Sequence, residues 1–184
     1  MAYRNGVYVA FDGNGEKDPS KSDLRYYNLL RAWNNNKNID FSFSNSHEKT
    51  FAVKDSSSKE TLRTRLRGRM KNSKNMLLIL SSDTNWDRGE LNYEIELAAD
   101  EFKIPIIIAY TDCEGALLTP QAFSNYWPKS LKERIDNSTA NCIHIPFKKE
   151  PIFSAISQFS VNDNTIDNPI AYYSKNSYDK WGIK

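Results

Sequence analysis

Apolar runs alternate with stretches of helical spacing along this sequence, and that alternation predicts an α/β fold: a flavodoxin-like, three-layer sandwich around a five-stranded parallel sheet. The runs differ in kind, and the difference places them. Gly6–Phe11, Met76–Leu80 and Ile104–Tyr110 are continuously apolar, as strands buried on both faces are. Phe41-Ser42-Phe43-Ser44 alternates apolar and polar, and Asn141–Pro146 is brief and closed by proline. A strand order of 2-1-3-4-5 puts those two at the edges and the solid runs inside.

The first run ends in Asp12-Gly13-Asn14-Gly15, a turn-forming loop at a strand's C-terminal end. A dinucleotide-binding reading of these glycines fails because Asp18 stands where the third glycine is needed. Leu24, Tyr27, Leu30 and Trp33 then recur at helical spacing, up to the Asn34-Asn35-Asn36 cluster. After the alternating strand, a polar loop through His47 leads to a second helix. This opens on a capping box at Ser57-Ser58-Lys59-Glu60 and carries Leu62, Leu66 and Met70 as its inner stripe.

The strand Met76–Leu80 leaves through the loop Ser81–Trp86 into an acidic helix, where Leu91, Ile95, Ala98 and Phe102 form the buried stripe. Glu94 falls about 70° from the centre of that stripe at roughly 100° per residue, on its border. Glu90 has the spacing of a cap partner to Asp87. Gly115–Trp127 reads as an extended aromatic loop before a short helix around Leu131–Ile135, and Pro151–Phe159 as a last helix with proline in its first turn. Residues 1–160 are expected to make the domain, and residues 161–184 a polar, aromatic extension docked on it without a core of its own.

Composition narrows the function. At 184 residues, with 39% hydrophobic and 26% charged side chains, the chain has the make-up of one globular domain. A net charge of +2 is too small to argue for nucleic acid. The arginines at 63, 65, 67 and 69 are therefore read as the solvated face of an amphipathic helix, with no aromatic residue interleaved to stack a base. No apolar run reaches the ~20 residues a membrane span requires, and Met1–Gly6 lacks a signal peptide's apolar core, so a cytoplasmic protein is expected. Cys113 and Cys142 have no zinc-site spacing.

Ligands of open α/β sheets bind at the C-terminal ends of the strands. That rule selects Phe11 and Asp12, His47, Ser82 and Trp86 as candidate binding residues, with the Glu94 carboxylate from the helix beside them. No metal is required. His144, inside the fifth strand, is read as structural.

The run Ser81-Ser82-Asp83-Thr84-Asn85-Trp86, with Tyr93-Glu94-Ile95 and Ile104-Pro105-Ile106-Ile107-Ile108, resembles the third strand, helix and fourth strand of Toll/interleukin-receptor (TIR) domains. More narrowly it resembles the bacterial TIR-like family of the Thoeris antiphage protein ThsB, over about residues 6–110. The resemblance implies a phenylalanine-containing first loop, here Phe11-Asp12, and a catalytic helix glutamate followed by isoleucine, here Glu94-Ile95. It also implies cleavage of the nicotinamide–ribose bond of NAD as substrate, with no permanently bound cofactor. The expected product is a cyclised or conjugated ADP-ribose signal that reaches an effector protein, and a homo-oligomer is possible. The family's tryptophan commonly stands four positions before its glutamate. Trp86 stands four before Glu90 and eight before Glu94, which makes Glu90 the runner-up, while the spacing to Ile106 favours Glu94.

Other readings share the fold. A TIR-type assembly module would do no chemistry, and a nucleoside deoxyribosyltransferase would share the glutamate and differ in substrate. A receiver domain would use Asp12, Asp83 and Lys148, but its first strand supplies a single acid where a pair is expected for a metal.

Overall fold

The computed structural model describes residues 3–12, 23–36, 44–45, 59–82, 84, 90–163 and 166–184. Its strands are β1 (Gly6–Ala10), β2 (Ser44–Asn45), β3 (Ser73–Leu80), β4 (Ile106–Tyr110), β5 (Cys142–Pro146) and β6 (Ala171–Tyr172). All pairings are parallel, in the order β2-β1-β3-β4-β5-β6. Among the described residues the sheet thus has the five expected strands and a sixth. The sixth is two residues of the C-terminal extension paired with Ile143 and His144, too short to leave a periodic signal. It makes β5 an interior strand, buried at every position, rather than an edge.

Side chains alternate across a strand, so one parity faces each way. The even-numbered residues Tyr8, Ala10, Met76, Leu78, Leu80, Ile106, Ile108 and Tyr110 pack under three helices. These are α2 (Lys59–Met70), α3 (Leu91–Glu96) and α4 (Lys129–Asp136). The odd-numbered Val7, Val9, Leu77, Ile79, Ile107 and Ala109 pack against α1 (Leu24–Asn35) and α5 (Lys149–Gln158). Every residue of β4 is buried on this double-sided plan, and each isoleucine there contributes about 1.5–3 kcal/mol by leaving water.

β3 begins three residues earlier than its apolar run, and Asn75 explains how. Its amide is fully buried and donates to the carbonyls of Ile156 (3.2 Å) and Phe159 (2.7 Å), groups that the end of α5 cannot satisfy internally. α3 continues into a π-helical turn, Leu97–Glu101, closed by Phe102 N–H on the Leu97 carbonyl at 2.9 Å. The expected extended loop contains a 3-10 turn at Pro120–Tyr126 that delivers Trp127 into the core.

The extension adds more than a strand. A helix α6 (Lys175–Lys180), capped by the Ser174 side chain, buries Tyr178, and Ile183 joins the even-face cluster. The Lys184 carbonyl accepts from Ala116 N–H at 3.0 Å. A buried chain of hydrogen bonds pins the same region. His144 Nε2 faces the Pro169 carbonyl at 3.0 Å and so carries the proton; Nδ1 then accepts from the Tyr110 hydroxyl at 2.7 Å, which in turn accepts from Trp127 Nε1 at 2.7 Å. Burial pushes the imidazole pKa down to about 4, so His144 is a neutral structural residue, in agreement with its reading from sequence.

Candidate active site

Glu94 lies in the first turn of α3 and its carboxylate turns inward, onto the even face of the sheet. The hydroxyl of Tyr8, in the middle of β1, donates to Glu94 Oε1, and both residues are buried. A buried carboxylate has lost its hydration, which favours the neutral form. Desolvation accordingly raises the Glu94 pKa to about 7; the Tyr8 bond and the positive charge of Arg69 pull it down, and Glu90 pushes it up. Tyr8 is driven the other way from ionisation: burial, and then the neighbouring carboxylate, raise its pKa well above that of a free phenol, so it stays a donor.

Glu90 is placed differently. It occupies the N-cap position of α3, where its backbone carbonyl accepts from Glu94 N–H at 2.8 Å, and its side chain makes no capping bond. Glu90 is thus itself the cap position, and the expected box with Asp87 involves a residue outside the described ones. The Glu90 carboxylate pairs with Arg63 Nε at 2.7 Å and, more loosely, with Lys59 Nζ at 3.7 Å. This corrects the reading of α2, since its arginines are not simply a solvated face. Arg63 also lies over the Tyr93 ring, 4.2 Å from its centroid, and Arg67 pairs with Glu101 at 2.7 Å. Arg69 is half-buried, its charge disfavoured by desolvation and supported by Tyr8 and Glu94. Arginines dispersed through a helix carry no sequence mark of which acid they meet; that is set by the packing of α2 on α3.

A second polar cluster sits at the C-terminal ends of β1 and β3. Asp12 is buried there, and so is Asp23, the residue before α1. Asp23 Oδ2 accepts from the hydroxyls of Ser81 at 3.1 Å and Thr84 at 3.3 Å, while Ser81 N–H donates to Thr84 Oγ1 at 2.9 Å. Desolvation raises the Asp23 pKa to about 6 against the pull of the Ser81 and Thr84 bonds; Asp12 raises it further and Arg25 lowers it.

The sequence-selected residues thus divide. Glu94 is buried against Tyr8. Asp12 lies with Asp23. Phe11 is not beside Glu94: it packs with the opposite-face cluster and stacks on Tyr27 at 5.4 Å. Ser82 is exposed, and its N–H donates to Asp112 Oδ2 at 2.7 Å, joining the ends of β3 and β4. His47 and Trp86 lie outside the described residues. Sequence reasoning missed Tyr8, Asp23 and Arg69. Tyr8 had left a signal, because a hydroxyl inside an apolar strand requires a buried partner. Among the described residues, no group of three or more His, Cys, Asp or Glu is arranged to hold a metal ion.

Glu94 in this setting offers a carboxylate held by a donor, shielded from water and poised near neutrality. That suits stabilisation of a developing positive charge or acceptance of a hydroxyl proton. A family model described as "Thoeris protein ThsB, TIR-like domain" matches residues 8–115, well over half of the chain. The matched stretch begins at Tyr8 itself, contains Glu94, and ends at Gly115, short of α4, β5 and the extension.

Proposed function

We propose that this chain, which belongs to the TIR-like domain family of the Thoeris protein ThsB, cleaves the nicotinamide–ribose bond of NAD with Glu94 as its catalytic carboxylate. The observation that carries the reading is the inward-facing Glu94 carboxylate with the Tyr8 hydroxyl on Oε1. Departure of nicotinamide leaves positive charge on the ribose carbon and ring oxygen, an oxocarbenium-like state that a nearby carboxylate stabilises. Tyr8 fixes Oε1, and the reading assigns Oε2 to the ribose hydroxyls. Low dielectric around the pair strengthens the attraction, because there is little water to screen it.

The released ADP-ribosyl unit would be cyclised or conjugated into a diffusible signal for an effector protein, as the family resemblance implies. Among the described residues, no helix is long and apolar enough to cross a membrane. The test is chromatography of NAD incubated with wild-type protein, Glu94→Gln and Glu90→Gln, with 2′-deoxynucleosides as control substrates. Nicotinamide release by wild type and Glu90→Gln, reduced ~100-fold or more in Glu94→Gln, is expected. Loss of release in Glu90→Gln with Glu94→Gln still active would move the role to Glu90. Turnover of the deoxynucleosides in place of NAD would replace the reaction.

A further inference from the structure

We infer that Asp23 is a positioning residue of the site: it latches Ser81 and Thr84 at the end of β3 into the shape that turnover requires. The inference rests on the NAD reading for its functional half and on geometry for the rest. Asp23 stands at the N-cap of α1, where an aspartate ordinarily turns its carboxylate onto the helix's own free N–H groups. Here the side chain makes no such bond. The backbone carbonyl alone serves the helix, accepting from Tyr26 N–H at 3.0 Å and Tyr27 N–H at 3.4 Å. The carboxylate reaches instead across to Ser81 and Thr84, 58 and 61 residues along the chain, with one oxygen receiving both hydroxyls. Thr84 N–H closes the turn on the Ser81 carbonyl at 3.1 Å.

This arrangement is expensive for the fold and useful for the loop. A carboxylate buried beside Asp12 is harder to ionise, and the hydroxyls of Ser81 and Thr84 with Arg25 offset only part of that. An asparagine there would accept the same two hydroxyls through its amide oxygen without a buried charge. The latch therefore depends on the acceptor oxygen and not on its charge. What that oxygen secures is the turn from Ser81 to Thr84 at the end of β3, a strand end flanked by Asp12 on one side and, through Ser82 N–H, by Asp112 on the other.

The experiment pairs two readouts on Asp23→Ala, Asp23→Asn and the double variant Ser81→Ala/Thr84→Val. Amide hydrogen exchange reports the latch without reference to chemistry. Exchange at Ser81 and Thr84 should rise ~10-fold or more in Asp23→Ala and stay near wild type in Asp23→Asn, with the β3 amides unchanged in both. The double variant, which leaves Asp23 in place, should reproduce the loop opening even if Asp23→Ala folds poorly; it is read at the Thr84 amide, because Thr84→Val itself removes the acceptor of Ser81 N–H. NAD turnover should follow the latch: kcat falls ~10-fold or more in Asp23→Ala and in the double variant, KM moves less than about 3-fold, and Asp23→Asn recovers most of the loss. Turnover retained with an open loop, or lost with a closed one, overturns the inference. Wild-type protein that leaves NAD untouched removes the proposed reaction, and exchange alone then decides whether the latch exists.

Discussion

Replacing Tyr8 by phenylalanine removes one hydroxyl from β1 and leaves the ring, the strand and the surrounding packing in place. The lost hydrogen bond supports the ionised form of Glu94. A hydrogen bond to a charged group is worth about 1.5–3 kcal/mol, and one pKa unit is about 1.4 kcal/mol, so Glu94 should become harder to ionise by about 1–2 units. Its pKa then moves from about 7 to about 8–9. If the ionised carboxylate is the active form, turnover at pH 7 falls about 5- to 50-fold, as its ionised fraction falls from about a half to about 1–10%. Activity should recover by about pH 9.5, because the missing charge returns once Glu94 titrates. The assay is NAD turnover from pH 6 to 10 on wild type and Tyr8→Phe, alongside a carboxyl-carbon NMR titration of Glu94. A loss that is equal at every pH, or a Glu94 titration that does not move, would refute the reasoning.

Two further outcomes follow from the same pair and from the docked extension. Because the folded-state pKa of Glu94 is raised, from 4.5 to about 7, the native state binds that proton more tightly than the unfolded chain does. Glu94 therefore contributes its full share of stability below about pH 4.5 and loses it as pH climbs towards 7. Urea unfolding should show Glu94→Gln more stable than wild type at pH 8, by up to about 3 kcal/mol, with the gain shrinking towards pH 4.5; a variant less stable at both pH values would count against an inward, desolvated carboxylate. At Gly115 a Cβ would sit 2.6 Å from the Lys184 carbonyl oxygen, closer than side-chain carbons approach, so the end of the extension must shift. Gly115→Ala should destabilise by about 1–3 kcal/mol and release the extension, read as urea unfolding and as faster proteolysis beyond Ser174; unchanged stability and digestion would mean that the Ala116–Lys184 contact is not held.

The legible part of the fold was what burial writes into the sequence. Ile106–Tyr110 and Met76–Leu80 announce interior strands because both faces of a parallel sheet are covered, leaving no position for a polar side chain. Leu91, Ile95 and Ala98 mark the inner side of their helix for the same reason, and Glu94, on the border of that stripe, is buried with them. Residues that satisfy one another across distance were not legible. Nothing in the sequence around Asn75 marks the end of α5 as the source of its acceptors. Nothing around Asp23 marks Ser81 and Thr84, 58 and 61 residues on, as its partners. β6 is silent because two residues cannot show a period, and its place depends on Pro169 meeting His144. The face that Phe11 takes was not legible for a simpler reason: an aromatic at a strand's end can turn to either side of the sheet, and stacking on Tyr27 decides.

The π-helical turn after α3 sets the orientation of Glu94 from a distance. Residues on an α-helix advance about 100° each, so one residue more or fewer between two anchored points rotates one end against the other by about that angle. Downstream, the chain is anchored where Ile104 N–H meets the Ala98 carbonyl at 3.0 Å and Ile106 enters the sheet beside Met76. Upstream, Glu94 must meet Tyr8. The wide turn at Leu97–Glu101 works as a phase adjuster between these two demands, taking up chain that a regular helix would convert into rotation. A related sequence with one residue fewer here could keep every strand and helix and still aim its glutamate at solvent. For comparisons within the family, the register of this turn is accordingly as informative as the presence of the glutamate.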